Sequence, residues 1–387
     1  MPRKNKSRRA SGEGNIRKRK DGKWEARYTL GVHPGTGKQI RKSVYGNSQA
    51  EVVKKLKQIS VSIDEGTYTE PCKLSVGSWM DIWIKDYLGS VKPFTVRSYS
   101  DHVKNHIKPR LGAVSLQKLT SPMVQSFYNE KLSSGLSPKT IKNLHGVLHS
   151  SLKQAVQIGY LRSNPTEACK LPRIEKKELN IMSEEDLALF VKEIEGHKFE
   201  NLYYVTLFTG MRQGEVMGLT WDCIDFENGV ILINKQLQKE KKIGGKYILA
   251  PLKNDKSRKI TAASLVMEVL RKERKKQIEN RIKVGSLWHN KENLVFTNEL
   301  GEHLAHGTIY KNFKKIVKKL GLDHIRFHDL RHSYAVASLQ SGDDVKTVQE
   351  NLGHHTAAFT LDVYGGVTEN MKKKSAQRID EIIRSIS

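Results

Sequence analysis

The feature that most constrains the fold of this chain is its hydrophobic pattern, which changes twice along its length. Up to about residue 70, apolar residues fall in short strand-like segments separated by turn residues. From residue 74 they recur at helical spacing, and one stripe about three turns long contains Val76, Trp79, Met80, Trp83, Ile84, Tyr87 and Leu88. After a charged segment that follows Asn164-Pro165, helical and strand-like segments alternate. Because each pattern requires its own packed layer, we predict three domains. The predicted fold class is a multidomain protein that is mainly α and contains an α+β domain.

The first domain, residues 1–70, is predicted to be a small three-stranded sheet packed on one helix. Its strand-like segments are KWEARYTLGV and KQIRKSVYG, and the helical segment SQAEVVKKLKQI follows them. Between the strands lies GVHPGTGKQ, in which Gly31 and Gly37 are one residue too far apart for a phosphate-binding loop and Gln39 replaces the metal-binding hydroxyl. We interpret this segment as a hairpin turn. The polar and cationic first residues are expected to be disordered until bound.

The second and third domains are predicted to begin at residues 74 and 175. Residues 74–165 form a helical domain of four helices, since helix start signals at Thr95, Ser121-Pro122 and Ser137-Pro138 follow the apolar stripe. Residues 175–387 form an α+β domain with a small sheet. Its first helix starts at a capping box of Ser183 and Asp186, and its strand candidates are GVILIN, KYILAP and SRKIT.

The net positive charge of the chain indicates that its partner is a polyanion. The 387 residues include 67 Lys and Arg against 41 Asp and Glu, a formal net charge of +26, and residues 1–70 contribute +10 of it. Because each phosphate neutralised by a cation releases counterions, this excess favours nucleic acid, with a membrane surface as the weaker alternative. The sequence has no run of about 18 apolar residues and no apolar N-terminal segment. We therefore expect a cytoplasmic protein that associates with the nucleoid.

Two patterns could indicate a metal site, and neither is favoured. The cysteines are odd in number and far apart, which supports neither a disulfide framework nor a zinc knuckle; they are Cys72, Cys169 and Cys223. His324, His328 and His332 recur at four-residue spacing, and imidazoles so spaced on a helix can share an ion. However, Asp329 stands where a zinc hydrolase of the H-E-x-x-H type has Glu, and Arg331 would repel a cation.

The segment FHDLRHSYA, residues 327–335, is ambiguous on its own. It places His328, Arg331 and His332 on one face of a predicted helix. In a chain with many His and Arg residues, His-x-x-Arg arises by chance, so an ordinary solvent-facing helix is the favoured interpretation of this segment taken alone.

Four further segments change that interpretation. They are TGMRQGE with Arg212 and Glu215, LKNDKSRKI with Lys253, LGHHT with His354, and TLDVYGG with Tyr364. Together with H-x-x-R they resemble the tyrosine recombinase (phage integrase) family in order and in spacing, with 23 residues from Arg331 to His354 and 10 more to Tyr364. The three-domain plan also resembles the integrases of conjugative transposons and lambda-type phages, which carry an arm-binding, a core-binding and a catalytic domain. The resemblance covers nearly the whole chain, but its specific motifs lie only between residues 209 and 366.

The chemistry needs a nucleophile, cations on the phosphate and a proton for the leaving group. Tyr364 would attack the scissile phosphorus and form a 3′-phosphotyrosyl link, while Arg212 and Arg331 would bind the non-bridging oxygens. The resemblance implies that Lys253 protonates the leaving 5′ oxygen, that His328 is the acid and base for the tyrosine, and that His354 donates to the phosphate. Lys256 and Lys259 are alternatives to Lys253. Glu215 is expected to orient Arg212 or His328, and His332 to pack against the helix.

No metal or cofactor is expected for this reaction. Exchange of one phosphoester for another keeps the bond energy in the protein–DNA link, so a free 5′ hydroxyl can reseal the strand without ATP. The sequence also lacks an acidic triad supported by neighbouring motifs, as a two-metal transposase would need. The predicted function is therefore site-specific DNA recombination through a Holliday junction.

Two other functions are compatible with the same net charge and stay open at this stage. A DNA-binding regulator could keep the fold with idle chemistry, and a type IB topoisomerase could use the same chemistry for relaxation. The complete set of six catalytic candidates favours the recombinase over the regulator, and the arm-like N-terminal domain argues against the topoisomerase.

The expected partner is double-stranded DNA, at core and arm-type sites, with an excision factor as a further candidate. The candidate arm contacts are Lys18, Arg19, Lys20, Lys23 and Arg27. We also expect a homotetramer on DNA, in which a C-terminal helix bearing Ile379, Ile382 and Ile383 docks on a neighbouring protomer.

Overall fold

The computed structural model describes residues 15–32, 35–65, 73–175, 179–239, 246–252, 256–354, 356, 358, 361 and 368–386. The chain divides into two compact units, Met1–Lys176 and Lys177–Ser387. The first 14 residues, which the sequence predicts to be disordered, lie outside the described residues, as does Cys72. Within the described part of the chain, no helix is both long and apolar enough to cross a membrane.

The N-terminal part of the first unit is a three-stranded antiparallel sheet with a helix on one face. The strands lie in the order β1-β2-β3 and the elements are β1 (Asn15–Lys18), β2 (Trp24–Val32), β3 (Gln39–Gly46) and α1 (Gln49–Asp64). Val32 pairs with Gln39, so a hairpin joins β2 to β3 as predicted, although His33 and Pro34 lie outside the described residues. Side chains at even positions of the strands pack on α1 in a small core that contains Ala26, Tyr28, Val52 and Leu56.

The rest of the first unit is helical. Its helices are α2 (Val76–Asp86), α3 (Pro93–His102), α4 (Lys108–Leu111), α5 (Ser121–Ser133) and α6 (Pro138–Gln157). A π turn at Val103–Ile107 joins α3 to α4, so the chain forms four helical segments, as the sequence predicts. The start of α3 that we predict at Thr95 is wrong by two residues, because Pro93 occupies the first helical turn, where its missing N–H costs nothing. These helices enclose a core of their own that includes Trp79, Phe127 and Leu148.

The second unit combines helices with two small sheets. The helices are α7 (Glu184–Glu193), α8 (Glu200–Thr209), α9 (Gln213–Met217), α10 (Ser264–Val284), α11 (His306–Lys319), α12 (Asp329–Ser341), α13 (Val345–Leu352) and α14 (Thr368–Ile386). The capping box at the start of α7 is present as predicted: the Asp186 backbone N–H donates to Ser183 Oγ, and the Ser183 N–H donates to the Asp186 carboxylate.

Two small antiparallel sheets complete this unit. One has the order β4-β5-β8, formed by β4 (Ile224–Asp225), β5 (Val230–Ile233) and β8 (Arg258–Thr261). The other pairs β6 (Lys235–Lys239) with β7 (Tyr247–Pro251). The three strand candidates in the sequence correspond to β5, β7 and β8. Strand β6 is not predicted, because Leu237 is the one fully buried residue in it and its other side chains are polar.

Candidate active site

Helix α12 buries an arginine at the centre of the second unit. Arg331 is only 1% exposed, and its Nη1 donates to the carbonyl of Gly210 at 2.7 Å. Its Nη2 donates to the carbonyl of Leu352. A buried guanidinium is stable only where oxygens accept its protons. Arg331 therefore joins the end of α8 to the end of α13.

The chain must turn sharply after α8 to reach the second arginine. Gly210 ends this helix with a φ of 63°, in the left-handed region. An added Cβ would lie 2.5 Å from Tyr334 Cδ1 and 2.8 Å from Leu352 Cδ2, so neither the conformation nor the space admits a side chain. The turn places Arg212 immediately before α9.

One buried carboxylate holds two guanidiniums. Glu215 is 2% exposed and accepts from the backbone N–H of Arg212 at 3.0 Å and from its Nη1 at 2.7 Å. It also accepts from Arg258, at 2.6 Å from Nη2 and 3.2 Å from Nη1. Burial raises the pKa of Glu215, but the hydrogen bonds and charge of Arg258, with the charge of Arg212, outweigh it and lower the pKa to about 2. The carboxylate is therefore ionised at neutral pH.

The same two arginines anchor the turn that follows α13. Arg258 Nε donates to the carbonyl of Asn351 at 2.7 Å, and Arg212 Nη2 lies 3.4 Å from the carbonyl of Gly353. Gly353 has a φ of 62°, and its backbone passes so close to Arg258 that an added Cβ would lie 3.0 Å from Arg258 Cδ. His354 comes directly after this turn, so Arg258 fixes the position of the L-G-H segment.

Arg258 is a functional candidate that the sequence analysis does not identify. It begins β8 and shares a strand face with the buried Ile260, two residues on. An arginine on the buried face of a strand is the signal that could have pointed to it, since such a charge requires a partner.

The imidazoles of His328 and His354 are neutral at neutral pH. The His328 ring meets the ring of a third histidine, His332, edge to face, with centroids 5.0 Å apart. Although His328 is exposed as a residue, loss of water around its ring, followed by the charges of His332 and Arg331, lowers its pKa to about 4. Burial and then the charges of Arg331 and Arg212 lower the pKa of His354 to about 3. Both rings therefore experience the positive field of the arginines.

Most of the site residues predicted from the sequence lie together. The structure brings Arg212, Glu215, His328, Arg331 and His354 into one cluster. Lys253 and Tyr364 lie outside the described residues, whereas the alternative lysines Lys256 and Lys259 are described and exposed. The five candidate arm contacts belong to the first unit, on or between β1 and β2, where Lys18, Arg19, Lys20, Lys23 and Arg27 occupy the strands and their connecting turn.

The charge of this cluster favours an anion. It contains three guanidiniums, of which Arg212 and Arg258 bind the Glu215 carboxylate and Arg331 donates to backbone carbonyls. The nearby Asp329 pairs with Arg326 instead, at 2.7 Å. The described charges thus leave an excess of two positive charges, and the guanidinium fork matches the oxygens of a phosphate.

Comparison with known proteins gives matches over nearly the whole chain. Residues 180–371 match the model of the phage integrase family, and residues 75–132 match that of the phage integrase N-terminal SAM-like domain. The chain is 30% identical over 382 residues to a tyrosine recombinase XerC-like protein of Caldanaerobacter subterraneus subsp. tengcongensis, covering 94% of this chain and 97% of the relative. It is 24% identical to the ICEBs1 integrase of Bacillus subtilis, covering 95% and 100%.

Solved structures show the same fold. The Tn1549 transposon integrase in complex with a circular intermediate DNA superposes with a TM-score of 0.67 at 22% identity, covering 79% of this chain and 99% of that one. A lambda integrase tetramer bound to a Holliday junction gives a TM-score of 0.55 at 19% identity, covering 92% and 97%.

Proposed function

Because the chain belongs to the phage integrase family of tyrosine recombinases and is a site-specific DNA recombinase, we propose that it exchanges DNA strands through a covalent link to Tyr364. The observation that carries this proposal is the cluster of three guanidiniums, in which Arg212 and Arg258 share the carboxylate of Glu215 and Arg331 is held by two backbone carbonyls. Such a cluster suits a phosphodiester, whose charge increases during attack.

In this mechanism the arginines stabilise the transition state. Arg331 is held by two carbonyls and Arg212 by Glu215, so neither guanidinium needs to reorganise when the phosphate becomes pentavalent. Arg212 keeps about a third of its side chain exposed, at 32%, which makes it the more accessible of the two for a DNA strand. Both are proposed to bind the non-bridging oxygens.

The proton steps use the neutral imidazole. The Tyr364 phenol transfers its proton to His328 as its oxygen bonds to phosphorus, and the bond from phosphorus to the 5′ oxygen breaks. Burial is the main cause of the low pKa of His328, and the charges of His332, Arg331 and Arg212 lower it further; the arginine charges also favour the phenolate over the phenol. His354 donates to a phosphate oxygen, and Lys253 protonates the departing 5′ oxygen. Attack by the 5′ hydroxyl of a second strand reverses these steps and needs no ATP.

Each of the three domains is proposed to have a different function on DNA. Residues 1–70 are proposed to bind arm-type sites through Lys18, Arg19, Lys20, Lys23 and Arg27, residues 74–165 to bind core sites, and residues 175–387 to carry the chemistry. The separate apolar cores of the sheet and of the helical segment support this division. An excision factor that sets the direction of exchange stays a prediction of the sequence.

A tetramer on DNA is proposed from one exposed apolar surface and one groove. Helix α14 exposes an apolar stripe of Ile379, Ile382, Ile383 and Ile386, each at least half exposed. Elsewhere in the same unit, a groove of about 400 Å³ between residues 181–187 and α12 is lined by Ile181, Leu187 and Val336, with Glu184 and Glu185 among its polar residues. The stripe is proposed to enter this groove on a second copy of the chain. If deletion of residues 372–387 left cooperative DNA binding and synapsis intact, this arrangement would be wrong.

The central experiment traps the covalent intermediate. A suicide duplex, nicked near the cleavage point so that the 5′ product diffuses away, is incubated in EDTA with wild type and with Tyr364→Phe and is then resolved on a denaturing gel. We expect an adduct from wild type alone. An adduct from both would move the nucleophile to another residue, and no adduct from either, on DNA shown to be bound, would favour the regulator.

A further inference from the structure

The open face of the N-terminal sheet carries a carboxylate in the middle of a cationic array. Paired residues of neighbouring strands point to the same side of a sheet. Arg17 pairs with Glu25, Glu25 pairs with Tyr45, and Arg27 pairs with Ser43, so all five lie on the face opposite α1. We call this surface the open face.

Glu25 links all three strands of this face. Its Oε2 accepts from Arg17 Nε at 2.7 Å, and its Oε1 accepts from Arg27 Nε at 3.1 Å and from Ser43 Oγ at 2.8 Å. The Glu25 side chain is only 4% exposed, whereas those of Arg17 and Arg27 are 53% and 48% exposed. The hydrogen bond from Arg17, with that from Ser43, holds the pKa of Glu25 at about 2. An ionised carboxylate therefore lies beneath two exposed guanidiniums.

The contacts leave the recognition edge of each arginine open. Both bonds to Glu25 use Nε, and within residues 15–32 and 35–65 no acceptor contacts the terminal nitrogens of Arg17 or Arg27. Those terminal nitrogens make the bidentate contact to O6 and N7 of guanine in the major groove of DNA. The neighbouring arginines are held as well, Arg41 by Gln39 and Arg19 against the Tyr45 ring.

A carboxylate on such a face weakens general attraction to DNA. Non-specific affinity comes from cations placed near phosphates, and Glu25 neutralises one of them. Its presence is understandable if it restricts the two arginines before binding, because less side-chain entropy is then lost when they reach a base. Such restriction improves discrimination between sequences more than it improves affinity.

We propose that Glu25 is a positioning residue for sequence recognition, which holds Arg17 and Arg27 for contact with base edges in the major groove of DNA. The proposal rests on the DNA-binding function proposed for residues 1–70. Glu25 then lowers the affinity of the domain for non-specific DNA and raises the ratio of specific to non-specific binding.

The test starts by identifying the DNA sequence that the open face reads. The full-length chain is used to select from a pool of randomised duplexes, and the bound fraction is sequenced. The motif that is no longer selected by Arg17→Ala and by Arg27→Ala is assigned to the open face. Affinities for this motif and for one fixed unrelated duplex are then measured for Glu25→Gln, for Glu25→Asp and for Glu65→Gln. Glu65 is an exposed residue that follows α1, so its variant controls for the change in charge.

We expect Glu25→Gln to lower the ratio of specific to non-specific affinity about tenfold, the value of one weakened bidentate base contact. Its affinity for the unrelated duplex should rise as much as that of Glu65→Gln. Glu25→Asp keeps the charge but is one methylene too short to reach both arginines, so it should lower the ratio without that rise. Circular dichroism melting checks that each variant is folded.

Three results would overturn the proposal. Unchanged ratios in both Glu25 variants would show that the carboxylate does not position the arginines. Lower ratios that appear only with loss of the folded sheet would assign Glu25 to folding alone. If no selected motif depends on Arg17 or Arg27, the DNA-binding function of the domain fails together with this proposal, whereas formation of the Tyr364 adduct tests the catalytic function independently.

Discussion

At the scale of single residues, the geometry of the active site depends on Glu215. This carboxylate receives hydrogen bonds from Arg212 and from Arg258, which approach it from a helix N-terminus and from a strand. Removing one partner of a buried ion pair leaves an uncompensated charge, which is more harmful than loss of the pair. The three residues are therefore expected to behave as one unit in mutagenesis.

Arg258→Lys tests whether Arg258 positions the site. Lysine keeps the charge but cannot reach both Glu215 and the carbonyl of Asn351, so the turn before His354 should shift. We expect cleavage of the suicide duplex to slow by about 10²-fold, the effect of a misplacement near 1 Å, with little change in DNA affinity. Single-turnover cleavage rates measure the effect. Arg281→Lys, the same change at an exposed position of α10, is the control, and equal rates in the two variants would contradict a positioning function.

The neutral imidazoles predict that acid destabilises the DNA-free protein. The pKa of His328 falls from 6.5 to about 4 and that of His354 to about 3, mainly through burial. Because the folded-state pKa is lower than the unfolded one, their contribution to stability is complete above pH 6.5 and is lost as the pH falls toward 4. Urea denaturation at about pH 7 and pH 5 should show this loss, and a variant combining His328→Gln with His354→Gln should lose less. An equal loss of stability in wild type and in the double variant would show that His328 and His354 do not cause it.

The sequence predicts the residues of this site better than their contacts. Arg212, His328, Arg331 and His354 are identified by their motifs, which the resemblance to a family makes specific. Arg258 lies in the segment LKNDKSRKI, but the motif points to the lysines there, and the importance of Arg258 arises from contacts with residues 43 and 93 positions away along the chain. Such pairings depend on tertiary packing, which spacing along a sequence does not encode.

At the scale of elements, the turn between α8 and α9 connects the packing of the helices to the chemistry. Gly210 takes a left-handed conformation, contacts Tyr334 and Leu352, and gives its carbonyl to Arg331. A shift of this turn would move Arg212 and Arg331 at once.

Gly210→Ala should therefore be strongly destabilising. The left-handed conformation costs about 1 kcal/mol for alanine, and its Cβ, 2.5 Å from Tyr334 Cδ1, adds overpacking of about 1–3 kcal/mol. Gly321→Ala provides the control, since Gly321 has a φ of 72° but nothing within 4 Å of an added Cβ. Urea denaturation should give the larger loss of unfolding free energy for Gly210→Ala. Similar losses would mean that backbone strain alone matters at this turn.

The sequence predicts elements well where the period of apolar residues is clear. The apolar stripe of α2 and the capping box of α7 are examples, and both are present in the structure. Strand β6 is missed because it is held by pairing with β7 and buries mainly Leu237, which leaves no alternating pattern. The first turn of α3 is missed because its cap residue, Lys92, makes no side-chain cap hydrogen bond, so the start signal at Thr95 is the more prominent one in the sequence.

At the scale of the whole molecule, the charge of +26 predicts that DNA binding depends steeply on salt. Each phosphate contacted contributes about −0.9 to the slope of log affinity against log salt concentration. A chain lacking residues 1–70, which carry +10, should bind duplexes that contain arm-type sites with a shallower slope. Fluorescence anisotropy across a salt series measures both slopes. Identical slopes would mean that these residues make few phosphate contacts.

The separate apolar cores of the sheet and of the helical segment have a consequence for how such enzymes diversify. None of the buried residues that pack the sheet on α1 belongs to the cluster built around Trp79. Replacing residues 15–65 with the corresponding sheet and helix of another integrase would therefore leave that cluster intact. Under the proposed division of DNA recognition, chimaeras built at this boundary should bind the arm-type sites of the donor while keeping the core sites and the cutting and joining chemistry of this chain, which makes arm-site recognition and chemistry separately inheritable traits.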